Sequence, residues 1–475
     1  ISAAQARSYI ASRWCIEQID AIVAPVPPYC HPDTSISLDG ELVQLNVLAN
    51  DVDGNCDDLT LVGVDAVTSL GGTVLLTGNS LLYAPPANAT GEDLFSYVVA
   101  DGTGREATGS VTVGVYRSVM HVGFTDCSSP TVHSIASAFA AFHPTIGGRV
   151  VIGPGTWPAN ISWTGSGAIA LESTHGPDAT ILNGAASSSL LAFDVGAADV
   201  TITGITFAGG ATPDSGGAAN IAAGTARFDS CRFIECSSHT AGGAIAFTGD
   251  VLLLNNCRFD RCSSLEGGAV HAVATFSANA TRCDFLANIG FDRAGAIYAD
   301  TAIMRLTESI IAQSVSPVAS AIYSTDIARL TDSFVCGTGS DIVVATTIDL
   351  DNSIISGTCA CEGLPWTAPV DCDANGVDDR CQILDDPMLD ADENGLLDAC
   401  AISIPTVPVR WSAACGGNDH FYEVRVDTVS WPIARLTAIL RGGTLVSIND
   451  ATEQTFIYEL TEHIDAAFYG TTGPW

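Results

Sequence analysis

The chain has 475 residues with 53 acidic against 18 basic side chains, a net charge of −35 and a pI near 4.2. That balance excludes the basic patches that nucleic acid and anionic lipid require, so no nucleic-acid partner is expected. A hydrophobic content of 47% against 15% charged residues excludes a disordered acidic tail, and no apolar run reaches the roughly 18 residues of a membrane helix.

Residues 1–17 place Ala6, Tyr9, Ile10 and Trp14 at helical spacing. The segment resembles the closing helix of a laminin-G-like jelly roll. Residues 18–36 carry AIVAPVPPYCHPD, an extended spacer. Over 37–116, short runs such as LVQLNVLAND, LTLVGV, GGTVLL, SLLYAP, DLFSYVVADG and GSVTVGV recur roughly every ten residues, with turn signals between them. That spacing predicts a β-sandwich. The same string resembles the bacterial Ig-like, cadherin-like repeats of large surface proteins, which implies a spacer. Asn50, Asp51, Asp53 and Asp101 at its strand ends read first as Asx turns and second as an interdomain calcium site.

Residues 117–358 contain a repeat. One marker is Gly217-Ala218, Gly243-Ala244-Ile245, Gly268-Ala269-Val270, Gly295-Ala296-Ile297 and Ser320-Ala321-Ile322. A second is Cys231-Arg232-Phe233, Cys257-Arg258-Phe259, Cys283-Asp284-Phe285 and Ser309-Ile310-Ile311, at steps of 26 (257−231, 283−257, 309−283). Two markers with one period and β-rich composition predict the stacked coils of a right-handed parallel β-helix, about three short strands per coil. Alternation turns Cys and Phe of each triplet inward and Arg232 and Arg258 outward. The GGA-[IV] and F-x-x-N patterns resemble polymorphic outer-membrane-protein repeats; Phe285…Asn288 fits, whereas Phe233…Cys236 and Phe259…Cys262 replace the Asn. HSIASAFAAF, GGRVVIGPGTW and DATILNG resemble the opening coil of pectate-lyase-like β-helices, which implies an amphipathic helix covering the open end.

Residues 359–402 hold two copies of D-x-D-x-N-G-x-x-D. Alternate side chains on so tight a loop converge oxygens on one point, which suits Ca²⁺. The expected ligands are Asp371, Asp373, Asn375, Val377 (carbonyl) and Asp379, then Asp390, Asp392, Asn394, Leu396 (carbonyl) and Asp398. Gln382 and Ala401 stand where an EF-hand needs its bidentate Glu. The 19-residue step (390−371) resembles thrombospondin type 3 repeats, with dockerin loops as the alternative. In residues 403–475, Trp431, Gly442-Gly443, Leu445-Val446-Ser447-Ile448, Glu453 and Phe456 resemble the first half of a C-type lectin-like domain. The fold class expected is therefore mainly β: a β-helix flanked by an Ig-like β-sandwich and a truncated α+β lectin-like domain. The start at Ile1 and stop at Trp475 are expected to be cuts within a larger secreted polypeptide.

Sixteen Cys without a C-x-x-C pair argue against zinc ribbons and for an oxidising, extracellular or cell-surface location. Cys231/Cys257/Cys283 and Cys236/Cys262 form ladders, the first of which reads as packed thiols before disulfides, whereas the linker cysteines Cys359, Cys361, Cys372, Cys381 and Cys400 read as bridged. All 18 basic residues are Arg, which removes lysine chemistry. If the β-helix is an enzyme, a polysaccharide lyase or hydrolase, then Arg232, Arg258 and Arg282 are the catalytic candidates, near Asp229, Asp260 and Asp284; a solvated charged face is the simpler account. His239 and His271 read as surface-turn residues. The function expected is a multidomain adhesion or structural protein, with glycans or cell-surface proteins as partners and no membrane insertion.

Overall fold

The computed structural model describes residues 26–54, 57–123, 131–132, 134–184, 188–337 and 341–359, with scattered positions between 382 and 454. The expected helix at 1–17, the ten expected calcium ligands from Asp371 to Asp398 and almost all of the segment expected to be lectin-like lie outside the described residues. Two compact units carry the rest, divided near Ser118.

The first unit is a seven-stranded sandwich. Strands β1 (Asp33–Leu38), β7 (Glu106–Tyr116), β6 (Gly91–Ala100) and β3 (Thr60–Val64) form one sheet in that order. Strands β2 (Val43–Leu45), β5 (Ser80–Ala84) and β4 (Thr73–Thr77) form the other. Sequence alternation decides the faces: Phe95, Tyr97 and Val99 of β6 and Val111, Val113 and Val115 of β7 are buried together, while Leu94 is 49% exposed. Asp93, one step before Phe95 on the inward face, is also buried. Its Oδ2 accepts from Thr68 Oγ1 at 2.5 Å and Tyr83 Oη at 2.7 Å, and its Oδ1 from Ser69 Oγ at 3.1 Å and the Leu70 amide at 2.8 Å. Of the strand-end acids, Asp53 and Asp101 make local turn bonds, whereas Asp51 ties distant segments together. Asp101 Oδ1 accepts from the Thr103 and Arg105 amides, Asp53 Oδ1 from the Asp57 amide, and Asp51 from the His31 amide and Tyr97 hydroxyl.

The second unit is a parallel β-solenoid. Its strands form a fifteen-stranded, a nine-stranded and a four-stranded sheet, so each central coil crosses three sheets as the repeat implied. Phe207, Phe233, Phe259, Phe285, Ile311, Val335 and Ile355 sit in register on the nine-stranded sheet. The first four steps are 26 residues; the next two shorten to 24 (335−311) and 20 (355−335). The four-stranded sheet ends at Ile289–Arg293, so later coils close with fewer residues. The four phenylalanines stack at 5.0, 4.6 and 4.6 Å, nearly parallel, and all are buried.

The markers now have physical causes. A Cβ on Gly243 would overlap the Gly268 carbonyl oxygen, and one on Gly268 the Gly295 carbonyl, so coil stacking there admits only glycine. Cys231, Cys257 and Cys283 are buried free thiols, and Ser309 continues their column. The Ser309 hydroxyl accepts from the Cys283 amide at 2.9 Å and donates to the Thr307 carbonyl at 2.7 Å. Asn288 explains the F-x-x-N departure. It accepts from the Cys262 amide and donates to the Phe259 carbonyl, while the Cys262 and Cys236 thiols face the carbonyls of Phe233 and Phe207 at 3.6 Å. Thiol and amide do one job in successive coils. Burial pushes the Cys257 and Cys262 thiols up, so they stay protonated.

Helix α1 (Ile135–Ala140), started by Ser134 Oγ accepting from the Ser137 amide, packs Phe139 against the rings of Trp163 and Phe193. At the other end, a Cys336–Cys359 disulfide with Cα atoms 5.1 Å apart joins the cluster of Leu286, Ile310 and Phe334.

Candidate functional site on the solenoid

The arginine candidates do not form one row. Arg232 pairs with Arg258, and Asp284 takes the next place in that column. Arg282 stands two residues earlier, at a corner where φ is 51°, in a column with Asn256 and Glu308. The 26-residue step fixes this: Arg282 lies 24 residues after Arg258, so it cannot share its register. Each stacked guanidinium has its own carboxylate. Arg232 bonds Asp178, and Arg258 Nη2 meets Asp260 Oδ2 at 3.2 Å. Asp260 also reaches Arg261 at 3.6 Å, and Arg261 reaches Glu235 at 3.2 Å. These neighbouring carboxylates offset the repulsion of the two guanidiniums stacked one rung apart.

A different outer column gathers more chemistry. Ser162, Ala192, Asn220, Ala246, His271, Tyr298 and Tyr323 are register partners in succession on the fifteen-stranded sheet. Its first part floors a cleft of about 240 Å³ lined by Asn160, Ser162, Ser188, Thr212, Asp214 and Asn220. Ser188 Oγ donates to Asn160 Oδ1 at 2.7 Å there. In its last part the His271, Tyr298 and Tyr323 rings stack at 4.7 and 5.3 Å, each pair within 7° of parallel.

Glu266 and Arg293, paired near the preceding corner, border the rings. Glu266 Oε2 lies 3.7 Å from His271 Nε2, Glu266 Oε1 lies 3.5 Å from Arg293 Nη1, and the Arg293 guanidinium sits 5.8 Å from the Tyr323 ring centre. Burial pushes the His271 pKa down against the opposing pull of Glu266 and Asp300, so the imidazole is neutral at pH 7. Burial, then Glu266 and Asp300, push the Tyr298 hydroxyl up, so it remains a donor. Among the described residues, no three His, Cys, Asp or Glu side chains converge as a metal site requires. No described helix is long and apolar enough to cross a membrane, which says nothing of a β-barrel.

His271, expected at a surface turn, stands instead on a strand of the sheet with Tyr298 and Tyr323 in register beside it. The signal was present: all three follow directly on the marker, in GAV-His271, GAI-Tyr298 and SAI-Tyr323. The marker ends on an inward residue, so the next side chain faces out.

A family model described as a bacterial Ig domain matches residues 24–114. That segment is a bacterial Ig-like domain. Its match begins before the 37–116 span read from strand spacing. No curated protein matches the chain. Among solved structures, a 2,6-sialyltransferase from Vibrionaceae Photobacterium sp. JT-ISH-224, in a complex with CMP and lactose, is 12% identical. The likeness covers 32% of this chain and 41% of that one at a TM-score of 0.18, and it carries no argument. A bacterial Ig-like domain followed by a long solenoid is the build of a multidomain surface or structural protein.

Proposed function

We propose that the chain is part of a secreted or cell-surface adhesion protein. In this reading the Ig-like domain is a spacer, the solenoid is a stiff shaft, and the modules around them meet glycans or neighbouring cells. The observation that carries the reading is the series of an Ig-like domain and a solenoid whose core columns run unbroken from Phe207 to Ile355. A solenoid held by nearest-neighbour stacking transmits load along its axis and leaves its outer faces free for contact. The Cys336–Cys359 disulfide fits an oxidising location. Beads coated with the full chain are expected to adhere to glycan-bearing cell surfaces. Incubation with acidic and neutral polysaccharides in calcium is expected to yield no new chain ends. Cleavage of any of them overturns the reading in favour of a lyase or hydrolase.

Calcium belongs to the same proposal. The paired loops 371–379 and 390–398 stiffen the stretch after the solenoid by gathering oxygens around Ca²⁺, and residues 403–475 begin a lectin-like module. Chelation by EDTA is expected to raise the protease sensitivity of 359–402 and to lower its melting temperature. A digestion pattern and melt indifferent to EDTA remove calcium from the proposal.

A further inference from the structure

We propose that the outer column from Ser162 to Tyr323 is a binding track for a neutral, hydroxyl-rich polysaccharide lying along the solenoid axis. The proposal rests on the adhesion reading and names the ligand class and the place of contact.

Continuity is the first support. Seven register partners give six steps, and at about 4.8 Å per coil the track is about 29 Å long, roughly one sugar ring per coil. Ala192 and Ala246 put the smallest side chains of the column between the polar cleft and the ring stack, Ala192 exposed and Ala246 buried between its neighbours.

The lining chooses the ligand. Asn160, Ser162, Ser188, Thr212 and Asn220 offer hydroxyls and amides, groups that both donate and accept, as a sugar hydroxyl does. At the other end the rings spend their faces on one another. What they offer a ligand is therefore edges and polar tips, with the His271 imidazole set against Glu266 and the Tyr298 hydroxyl against Arg293. The Glu266–Arg293 pair beside them presents a carboxylate acceptor and a forked donor side by side, a pairing that suits adjacent hydroxyls on one ring.

Charge excludes the competing ligands. Asp214, Glu266 and Asp300 border the track against Arg293 alone among the groups named here, on a chain of net charge −35. A polyanion is repelled. An apolar peptide would have to strip water from hydroxyls and amides that it cannot replace.

Two variants test the track without disturbing the core. Tyr298→Phe keeps the stacked ring and removes only the hydroxyl; Glu266→Gln keeps shape and removes the charge. The full chain is titrated with neutral hexaoses of β-1,4-glucose, β-1,4-mannose and α-1,4-glucose, and with polygalacturonate. At least one neutral hexaose is expected to bind, and each variant is expected to weaken it about tenfold at an unchanged melting temperature. Arg232→Ala, on another sheet, is expected to leave binding unchanged. Preference for polygalacturonate, or variants that bind as the wild type does, overturn the track. Coated beads that adhere to cells while no neutral hexaose binds overturn it too and leave the adhesion reading standing. Hexaose binding without bead adhesion does the reverse, and failure of both overturns both.

Discussion

Asp93→Ala is expected to cost the Ig-like domain about 3–5 kcal/mol, enough to unfold a domain of ordinary stability. The carboxylate lies in the core beside Phe95 and Tyr83 and serves four donors at 2.5 to 3.1 Å. Its removal strands the hydroxyls of Thr68 and Tyr83 inside the sandwich, and each unmet donor costs about 1–3 kcal/mol. Asp93→Asn restores the shape but turns one acceptor into a donor facing hydroxyls, so it recovers only part. Burial alone pushes the Asp93 pKa up; the hydrogen bonds from Thr68, Leu70, Tyr83 and Ser69 outweigh it and hold the carboxyl below the usual range. Its stabilisation is therefore complete above the unfolded value of about 3.9 and fades as pH falls through the lower native value. Burial raises Asp33 instead, so its contribution runs the other way. Denaturant unfolding at pH 7 and pH 3, compared between wild type and Asp93→Asn, isolates the difference. An equal acid slope in both proteins would show that Asp93 does not carry it.

The solenoid was legible because its physics is periodic. Coil stacking demands glycine at 243 and 268, and core columns demand matching inward residues at 233, 259 and 285, so one constraint writes itself into the sequence every 26 residues. The inward placement of Cys and Phe followed from alternation alone. The arginine row was misread at Arg282 because proximity in sequence was used where register decides: two residues off the period puts a side chain on the next corner. The His271–Tyr298–Tyr323 stack was missed for the opposite reason. Its members differ in type, so no identity repeats, and only their common distance from the marker betrays them. Asp93 was invisible because its four partners come from two separate segments, residues 68–70 and Tyr83, that only the fold brings to it.

Phe259→Ala is expected to destabilise the solenoid by about 3–5 kcal/mol. The ring is fully buried and sandwiched between Phe233 and Phe285 at 4.6 Å on each side, so truncation removes two stacked contacts and leaves a cavity walled by rings. Those neighbours are held by backbone pairing one coil away and cannot close the gap without breaking register. Phe276→Ala is the matched control: that ring is 63% exposed, and its loss is expected to change stability by less than about 0.5 kcal/mol. The double variant Phe233→Ala with Phe259→Ala tests the column itself. Adjacent rungs share one cavity, so the second truncation should cost less than the first, whereas rungs acting independently would add. In a structure stabilised coil by coil, that coupling is the link between local packing and the stiffness of the shaft: the tighter each rung depends on its neighbours, the less the solenoid bends before it unfolds.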